Sequence, residues 1–535
     1  MERDSGSQGS GASIGRCNTT GTWLSTPMDE ELLRGVPLDV LLSGFGRHFV
    51  PPEKGMFNLD TKKYSFSRKV HGLDHFLSHD WGTSRFLKVA ALLVSFNTVA
   101  ASIATVVVSI LMGAIFAMWG EYLPPPGQGN PVNMARLGRV STGLGTFWIF
   151  LCFWQRIRRI FAGPKMTFLD TLCIAQHDEA KKKQGIFGLS TFLDRSEHLM
   201  ILWSRNFFSR LWCTYEVSTF LRHKHEKQVQ VMPVTLAWLF LVMIILVQVT
   251  AMANLLMDEC DCISSMALII AIRSSLAIPG YTFLIYTGIC LIQDLKDLAR
   301  QLQVFSAEKA ECFCCSCGHV HPETGSVLPC DRDLVLRTMT HWFASCEEFD
   351  RLVRDRLIKK VSDSVRALLM AQYPIHVAIA GTAPLLILQI PLFFEEESQD
   401  ADAALKHFAE WARVPLTTLV STFILIVACR VGAAIVQHRG NCCRGFVSFL
   451  LACLSLMLVS LVWIPINILD KNAGDKGGLL IVPVIALFWL YTYCMHWNRN
   501  DVASDLTKTV AGSNLEGSDA KQIDVDVDSC DTISV

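Results

Sequence analysis

Charge is scarce in this chain. Asp, Glu, Lys and Arg make up 18% of its 535 residues, 51% are hydrophobic, and the mean hydropathy is +0.34. That balance is too apolar for a soluble globular protein with a polar surface. Charge of one sign is also lacking, since 48 Lys+Arg meet 49 Asp+Glu, and without a basic bias or stripe no nucleic-acid partner is expected. No apolar run carries a central Asp or Glu, the acid that a transporter or proton relay usually keeps at membrane depth. The first 85 residues lack a basic-then-apolar leader with a small-residue cleavage site. No secretory signal peptide is therefore expected, and the N-terminus is expected in the cytosol. An evenly spaced cysteine framework is missing too, so the 19 cysteines are expected to be mostly reduced thiols.

What the chain does have is apolar length. A spanning helix needs roughly 20 mainly apolar residues, and eight runs of about that size are expected as spans: Val89–Trp119, Ser141–Ile160, Leu236–Leu256, Ile263–Ile292, Ala367–Phe394, Val414–Val436, Gly445–Leu469 and Gly477–Trp497. The second is the shortest in apolar content. The first is over-long and must tilt or project from the bilayer. With both termini cytosolic, the short acidic connections such as Asp258–Asp261 and Glu395–Glu397 face outward. Arg156, Arg158, Arg159, Lys165, Arg439 and Arg444 then flank the cytosolic ends, as the positive-inside rule requires. This reading makes the chain an α-helical polytopic membrane protein with the lipid bilayer as its first partner. Its cytosolic parts are a polar N-terminal region (1–70), residues 71–88, 161–235 and 293–366, and a disordered acidic tail (498–535). Pro279, Pro374, Pro384 and Pro391 fit kinked helices, or the broken helices of a transporter.

From Met166 onward short apolar runs alternate with amphipathic segments, the pattern of a doubly wound parallel sheet. Thr167–Leu169, His198–Trp203 and Val229–Val234 read as strands, and Ile186, Leu189, Phe192 and Leu193 as a helical face between the first two. Arg210–His223 reads as a helix. A strand is still missing from a flavodoxin-like α/β sheet, and His75–Ser78, upstream of the first span, supplies it. The domain is then split by the first two spans. In open α/β sheets ligands sit beyond the carboxyl ends of the strands, here His79, Asp80, Trp81, Asp170 and Ser204. Glu216 has Trp212, Cys213, Thr219 and Phe220 as helical neighbours and no Lys or Arg, the setting of a carboxylate with a raised pKa.

Three segments resemble Toll/interleukin-1 receptor (TIR) domains. Phe76-Leu77-Ser78-His79-Asp80-Trp81-Gly82 is similar to the family's first strand and loop. Phe168-Leu169-Asp170 is similar to the second strand, and Ser209-Arg210-Leu211-Trp212-Cys213-Thr214-Tyr215-Glu216-Val217 to the Ser…Trp-Cys-x-x-Glu-Leu segment. The resemblance covers under a fifth of the chain, and its specific element is Trp-Cys-x-x-Glu. It implies a TIR-like domain acting in signalling, either by cleaving NAD with Glu216 as the catalytic carboxylate or as a self-associating scaffold without chemistry. NAD is the implied substrate, and His79, Asp80, Trp81, Asp170, Ser204 and Trp212 the implied substrate-binding residues. The Phe-Arg-Gly loop common in plant-type members is replaced here, so the family's usual arginine is absent. Lys181–Lys183 could meet phosphates or anionic lipid, or form a solvated helix face.

A Cys/His-rich loop follows the fourth run: Cys312, Cys314, Cys315, Cys317, His319 and His321, with Cys330 beyond. Cys312/Cys315 and Cys314/Cys317 are overlapping Cys-x-x-Cys pairs. Either can give two thiolates to a structural zinc, with His319, His321 or Cys330 completing it. S-acylation is the alternative for this patch and for Cys442-Cys443. Asp331–Arg366 then reads as one amphipathic helix, expected to pack on its own small helical domain or on the α/β unit. Function is therefore expected in one of three classes: TIR-like signalling with NAD cleavage, a TIR-like scaffold or receptor, or a transporter or channel with a regulatory domain.

Overall fold

The computed structural model describes residues 29–50, 61–119, 134–223, 228–259, 266–320, 330–343, 345–357, 372–392, 401–437 and 441–473, with Gly325, Val327 and Phe394. Within them six strands form one sheet: β1 (Arg34–Pro37), β2 (Arg68–Lys69), β3 (Leu73–His79), β4 (Met166–Phe168), β5 (Ser196–Trp203) and β6 (Val229–Pro233). The order is β2-β1-β4-β3-β5-β6. β3 pairs in parallel with β4 (Phe76 opposite Phe168) and with β5 (Phe76 opposite Leu199), and β5 pairs in parallel with β6. The parallel strands thus run 2-1-3-4 in chain order, and the winding reverses between β3 and β5. That is the position at which open α/β sheets bind ligands. Leu199 to Trp203 are all buried, as a strand covered on both faces must be.

Two strands extend the sheet beyond the expected domain start at residue 71. Arg34–Pro37 and Arg68–Lys69, assigned by sequence to a polar region outside the domain, are antiparallel additions beside β4. A Cβ at Gly35 would stand 2.7 Å from Leu73 Cδ2, so this edge closes only around a residue without a side chain.

The helices follow in chain order: α1 (Arg85–Trp119), α2 (Met134–Ala162), α3 (Glu179–Phe187), α4 (Leu189–Asp194), α5 (Leu211–His223), α6 (Val234–Glu259) and α7 (Met266–Gln303). After them come α8 (Asp331–Phe343), α9 (Cys346–Leu352), α10 (Tyr373–Thr382), α11 (Leu386–Leu392), α12 (Ala401–Ile435) and α13 (Asn441–Ala473). Among the described residues, five helical segments are long and apolar enough to cross a membrane: Arg85–Trp119, Val234–Met257, Tyr373–Leu392, Thr417–Ile435 and Cys443–Leu461. They coincide with the first, third, fifth, sixth and seventh expected spans. The second expected span lies inside α2 and the described part of the fourth inside α7, neither among the five. The eighth, Gly477–Trp497, lies outside the described residues.

The length of α1 has a structural use. Its 35 residues extend about 52 Å at 1.5 Å per residue, well beyond a hydrocarbon layer of about 30 Å. The surplus at the N-terminus is the sheet's own covering helix: Val89, Ala91 and Leu92 are buried and Phe96 packs edge-on to His75 of β3 at 4.8 Å. Farther along, Ile103 and Leu111 face outward. β6 passes into α6 without a linker and α2 ends just before β4, so sheet and helical bundle share one core.

Polar side chains join the bundle helices. Asn97 donates to the Leu151 carbonyl at 2.7 Å and accepts from Gln155 Nε2 at 2.7 Å. Trp148 donates to Gln248 at 2.7 Å, Gln248 donates to the Ala380 carbonyl at 3.1 Å, and Ser102 meets His376 at 2.8 Å. Such contacts contribute about 0.6–2 kcal/mol each between apolar helices. They account for His376 as part of the packing of α10 against α1.

Candidate functional site

Glu216 stands one turn into α5, a helix whose buried face (Leu211, Tyr215, Phe220) is anchored in the core. Its carboxylate accepts a hydrogen bond from Ser78 Oγ at the end of β3. Period-two alternation puts Ser78 and Phe76 on one face of β3. Phe76 stacks on Phe168 at 4.5 Å, and Phe168 packs on Phe192 of α4 at 4.4 Å. Glu216 and Asp170 each keep a margin of solvent contact while lying deep within the protein's mass. Burial raises the Glu216 pKa to about 8, with the nearby Asp170 charge adding to the rise and the Ser78 hydrogen bond opposing it. Burial likewise raises Asp170 to about 6, against the hydrogen bonds it receives.

The loop Asp80–Ser84 between β3 and α1 supplies the rest. Trp81 Nε1 donates to Asp170 Oδ2 at 3.2 Å. Asp80, itself buried, accepts from the Gly82 amide at 3.1 Å and Thr83 Oγ1 at 3.3 Å and pairs with Arg210 Nε at 3.4 Å. The His79 ring packs edge-on between Phe49 (5.4 Å) and Trp81 (4.5 Å), and burial holds it neutral. Cys213 donates its thiol to the His79 carbonyl at 3.7 Å, and burial pushes that thiol upward. Carboxylates and hydrogen-bond donors therefore gather at the carboxyl ends of β3 and β4, beside the reversal of the sheet.

The expected site residues do not all meet there. Asp80, Trp81, Asp170 and Glu216 do. Ser204 caps the end of β5 with a buried hydroxyl that has no partner among the described residues. Trp212 points the other way, its indole donating to Asp331 Oδ2 of α8 at 3.3 Å. It belongs to the junction with the Cys/His-rich segment. The residue that sequence reasoning missed is Lys88, wholly buried one turn into α1, with its ammonium 5.3 Å from the Trp81 ring.

Of the Cys/His-rich loop, four residues converge: Cys314, Cys315, His319 and Cys330 place ligand atoms within 4.8 Å of one another, a set that could hold a metal ion. Cys312 lies 3.1 Å from Cys314, and with Asp331 these form a second, overlapping group. Neither expected Cys-x-x-Cys pair is used as such. Cys317 turns aside to the Phe313 carbonyl at 3.1 Å, and His321 lies outside the described residues. The turn that brings His319 back is left-handed at Gly318 (φ 64°) and at His319 itself (φ 61°). A non-glycine residue held there is worth a functional reading. The expected single helix over 331–366 is broken at Ser345, whose hydroxyl caps α9 by accepting from the Glu348 amide at 3.1 Å.

This unit docks on the helix that carries Glu216. Besides Trp212–Asp331, Trp342 stacks on Tyr215 at 5.9 Å and lies under the Arg222 guanidinium at 4.6 Å, while the Leu211 amide donates to the Glu311 carbonyl at 3.0 Å. Trp342→Ala removes the stack and the cation–π contact. The expected loss is about 2 kcal/mol, read as a lower thermal midpoint and faster hydrogen exchange in α5. Unchanged exchange there would show that the two units do not support one another.

These features define a mostly helical protein in which membrane-competent helices grow directly out of a small mixed sheet, with a cluster of buried ionisable groups at the sheet's reversal and a Cys/His set beside it. No family model, curated protein or solved structure matches the chain.

Proposed function

We propose that this is a membrane-anchored signalling enzyme whose cytosolic, TIR-like α/β unit cleaves NAD, with Glu216 as the catalytic carboxylate and both termini in the cytosol. The observation that carries the reading is the Ser78–Glu216 hydrogen bond at the carboxyl end of β3. It ties the Phe-Leu-Ser strand to the Trp-Cys-x-x-Glu helix, the two elements on which the family resemblance rests. The 2-1-3-4 order of the parallel strands agrees with it. In this reading Glu216 holds the nicotinamide ribose hydroxyls. The C1′–N bond breaks with its electron pair leaving on nicotinamide, and ionised Glu216 stabilises the oxocarbenium-like carbon. Water then adds at C1′ and loses a proton to solvent, giving ADP-ribose. The Cys314, Cys315, His319 and Cys330 set holds a structural zinc that braces α5 from outside.

The test follows from the ionisation. Only the charged carboxylate stabilises a cation, so kcat/KM for nicotinamide release should rise as pH approaches about 8, the free-enzyme value for Glu216. The Ser78 hydrogen bond favours the charged form, so Ser78→Ala should move the profile to higher pH. A profile flat across that range, or unmoved by Ser78→Ala, would contradict the assignment of Glu216.

A further inference from the structure

We propose that Lys88 is the anion-binding residue of this site and grips the diphosphate of a dinucleotide; the inference deepens the NAD reading and rests on it. Lys88 has no exposed surface, and its Nζ has no hydrogen-bond partner among the described residues. The two acids near enough to interact with it are already engaged. Asp80 is taken up by Gly82, Thr83 and Arg210, and Asp170 by the Trp81 indole at 3.2 Å and the Thr171 amide at 2.7 Å. Two rings flank the ammonium instead, Trp81 at 5.3 Å and Phe49 at 5.9 Å. An ammonium has three donors, and burying it without acceptors is unfavourable. A buried ammonium without an acceptor, at the carboxyl end of the sheet beside its reversal, is placed for an acceptor that arrives.

The surroundings specify that acceptor. Lys88 lies one turn inside α1, and the first amides of a helix point outward without intrahelical partners. A 35-residue helix opening from the first parallel strand's loop is where doubly wound sheets place phosphates. The partnerless buried ammonium is the second feature directed at the same spot. Lys88 supplies the positive charge from the helix. Trp81, half-buried, stands against the ammonium. Glu216 and Lys88 reach the crevice from opposite faces of the sheet, α5 and α1. A ligand with a ribosyl cation at one end and a diphosphate in the middle would span both.

The experiment compares the full-length protein, Lys88→Met and Glu216→Gln in zwitterionic nanodiscs, titrated with inorganic pyrophosphate and with NAD. Pyrophosphate should bind the parent and Glu216→Gln alike, whereas NAD should bind Glu216→Gln more weakly, because its ribose hydroxyls lose a carboxylate acceptor. Lys88→Met should weaken both by about tenfold or more, as loss of a buried charge partner does, with a thermal midpoint equal to or above the parent's, since an apolar isostere relieves an unpaired charge. Equal binding by Lys88→Met, a lowered midpoint or misfolding, which would mark a structural cation, each overturns the proposal. So does binding that appears only when phosphoinositides are added, because the anion is then a lipid headgroup. Parent protein that binds pyrophosphate through Lys88 but not NAD would leave the anion site standing and remove the NAD reading.

Discussion

Glu216→Gln should abolish NAD cleavage and leave a more stable protein. The amide keeps the size and the Ser78 hydrogen bond but cannot carry the charge that meets the oxocarbenium-like centre, so kcat should fall by about 10³-fold. The stability gain follows from linkage. The folded pKa of Glu216 is raised from 4.5 to about 8, so the unfolded chain gives up that proton first and stability drains away as pH rises between those values. At pH 7 the parent carries a penalty of roughly 3 kcal/mol, which Gln removes. Thermal midpoints of the two proteins should therefore converge near pH 4.5 and separate by several degrees near pH 8. A variant that is inactive and also less stable at pH 8 would make Glu216 a structural residue.

Removing the metal set should have a larger effect on folding. A zinc ion held by Cys314, Cys315, His319 and Cys330 would fit the sulfur–sulfur distances of 3.9 Å and 4.0 Å, close to the roughly 3.8 Å tetrahedral edge expected for Zn–S bonds of about 2.3 Å. Structural zinc contributes about 10–16 kcal/mol in small domains, more than helices as short as α8 and α9 retain by themselves. Metal analysis should find one zinc per chain. Cys315→Ser or Cys330→Ser should lose it and expose the loop to protease, and should speed hydrogen exchange in α5, because Asp331 no longer holds Trp212. Cys317→Ser should keep the zinc, its thiol being turned to the Phe313 carbonyl. Loss of metal from Cys317→Ser with retention in Cys315→Ser would contradict the ligand set.

What could be read from sequence divides along physical lines. The parallel strands were legible because strands covered on both faces are continuously apolar: His198–Trp203 lies wholly within β5. β1 and β2 were not, since a strand as short as Arg34–Pro37, ending in proline and holding an arginine, has no period to detect. Glu216 could be singled out from its apolar helical neighbours. Its partner Ser78 could be named only as part of a strand, because pairing across 138 residues is a tertiary fact. Lys88 was hidden by position. At the head of an apolar run a lysine reads as an interfacial flank, and only the packing of α1 against the sheet turns it inward. Cys-x-x-Cys spacing does not give the candidate metal set that converges, where the adjacent Cys314 and Cys315 come together through a one-turn helix, Phe313–Ser316, and a left-handed His319.

The most direct test of the central claim is nicotinamide release from NAD by the detergent-purified full-length protein at pH 8, with folding verified by thermal midpoint. Stoichiometric nicotinamide and ADP-ribose are expected from the parent and none from Glu216→Gln. No release from a folded parent, or equal release from both proteins, would contradict it.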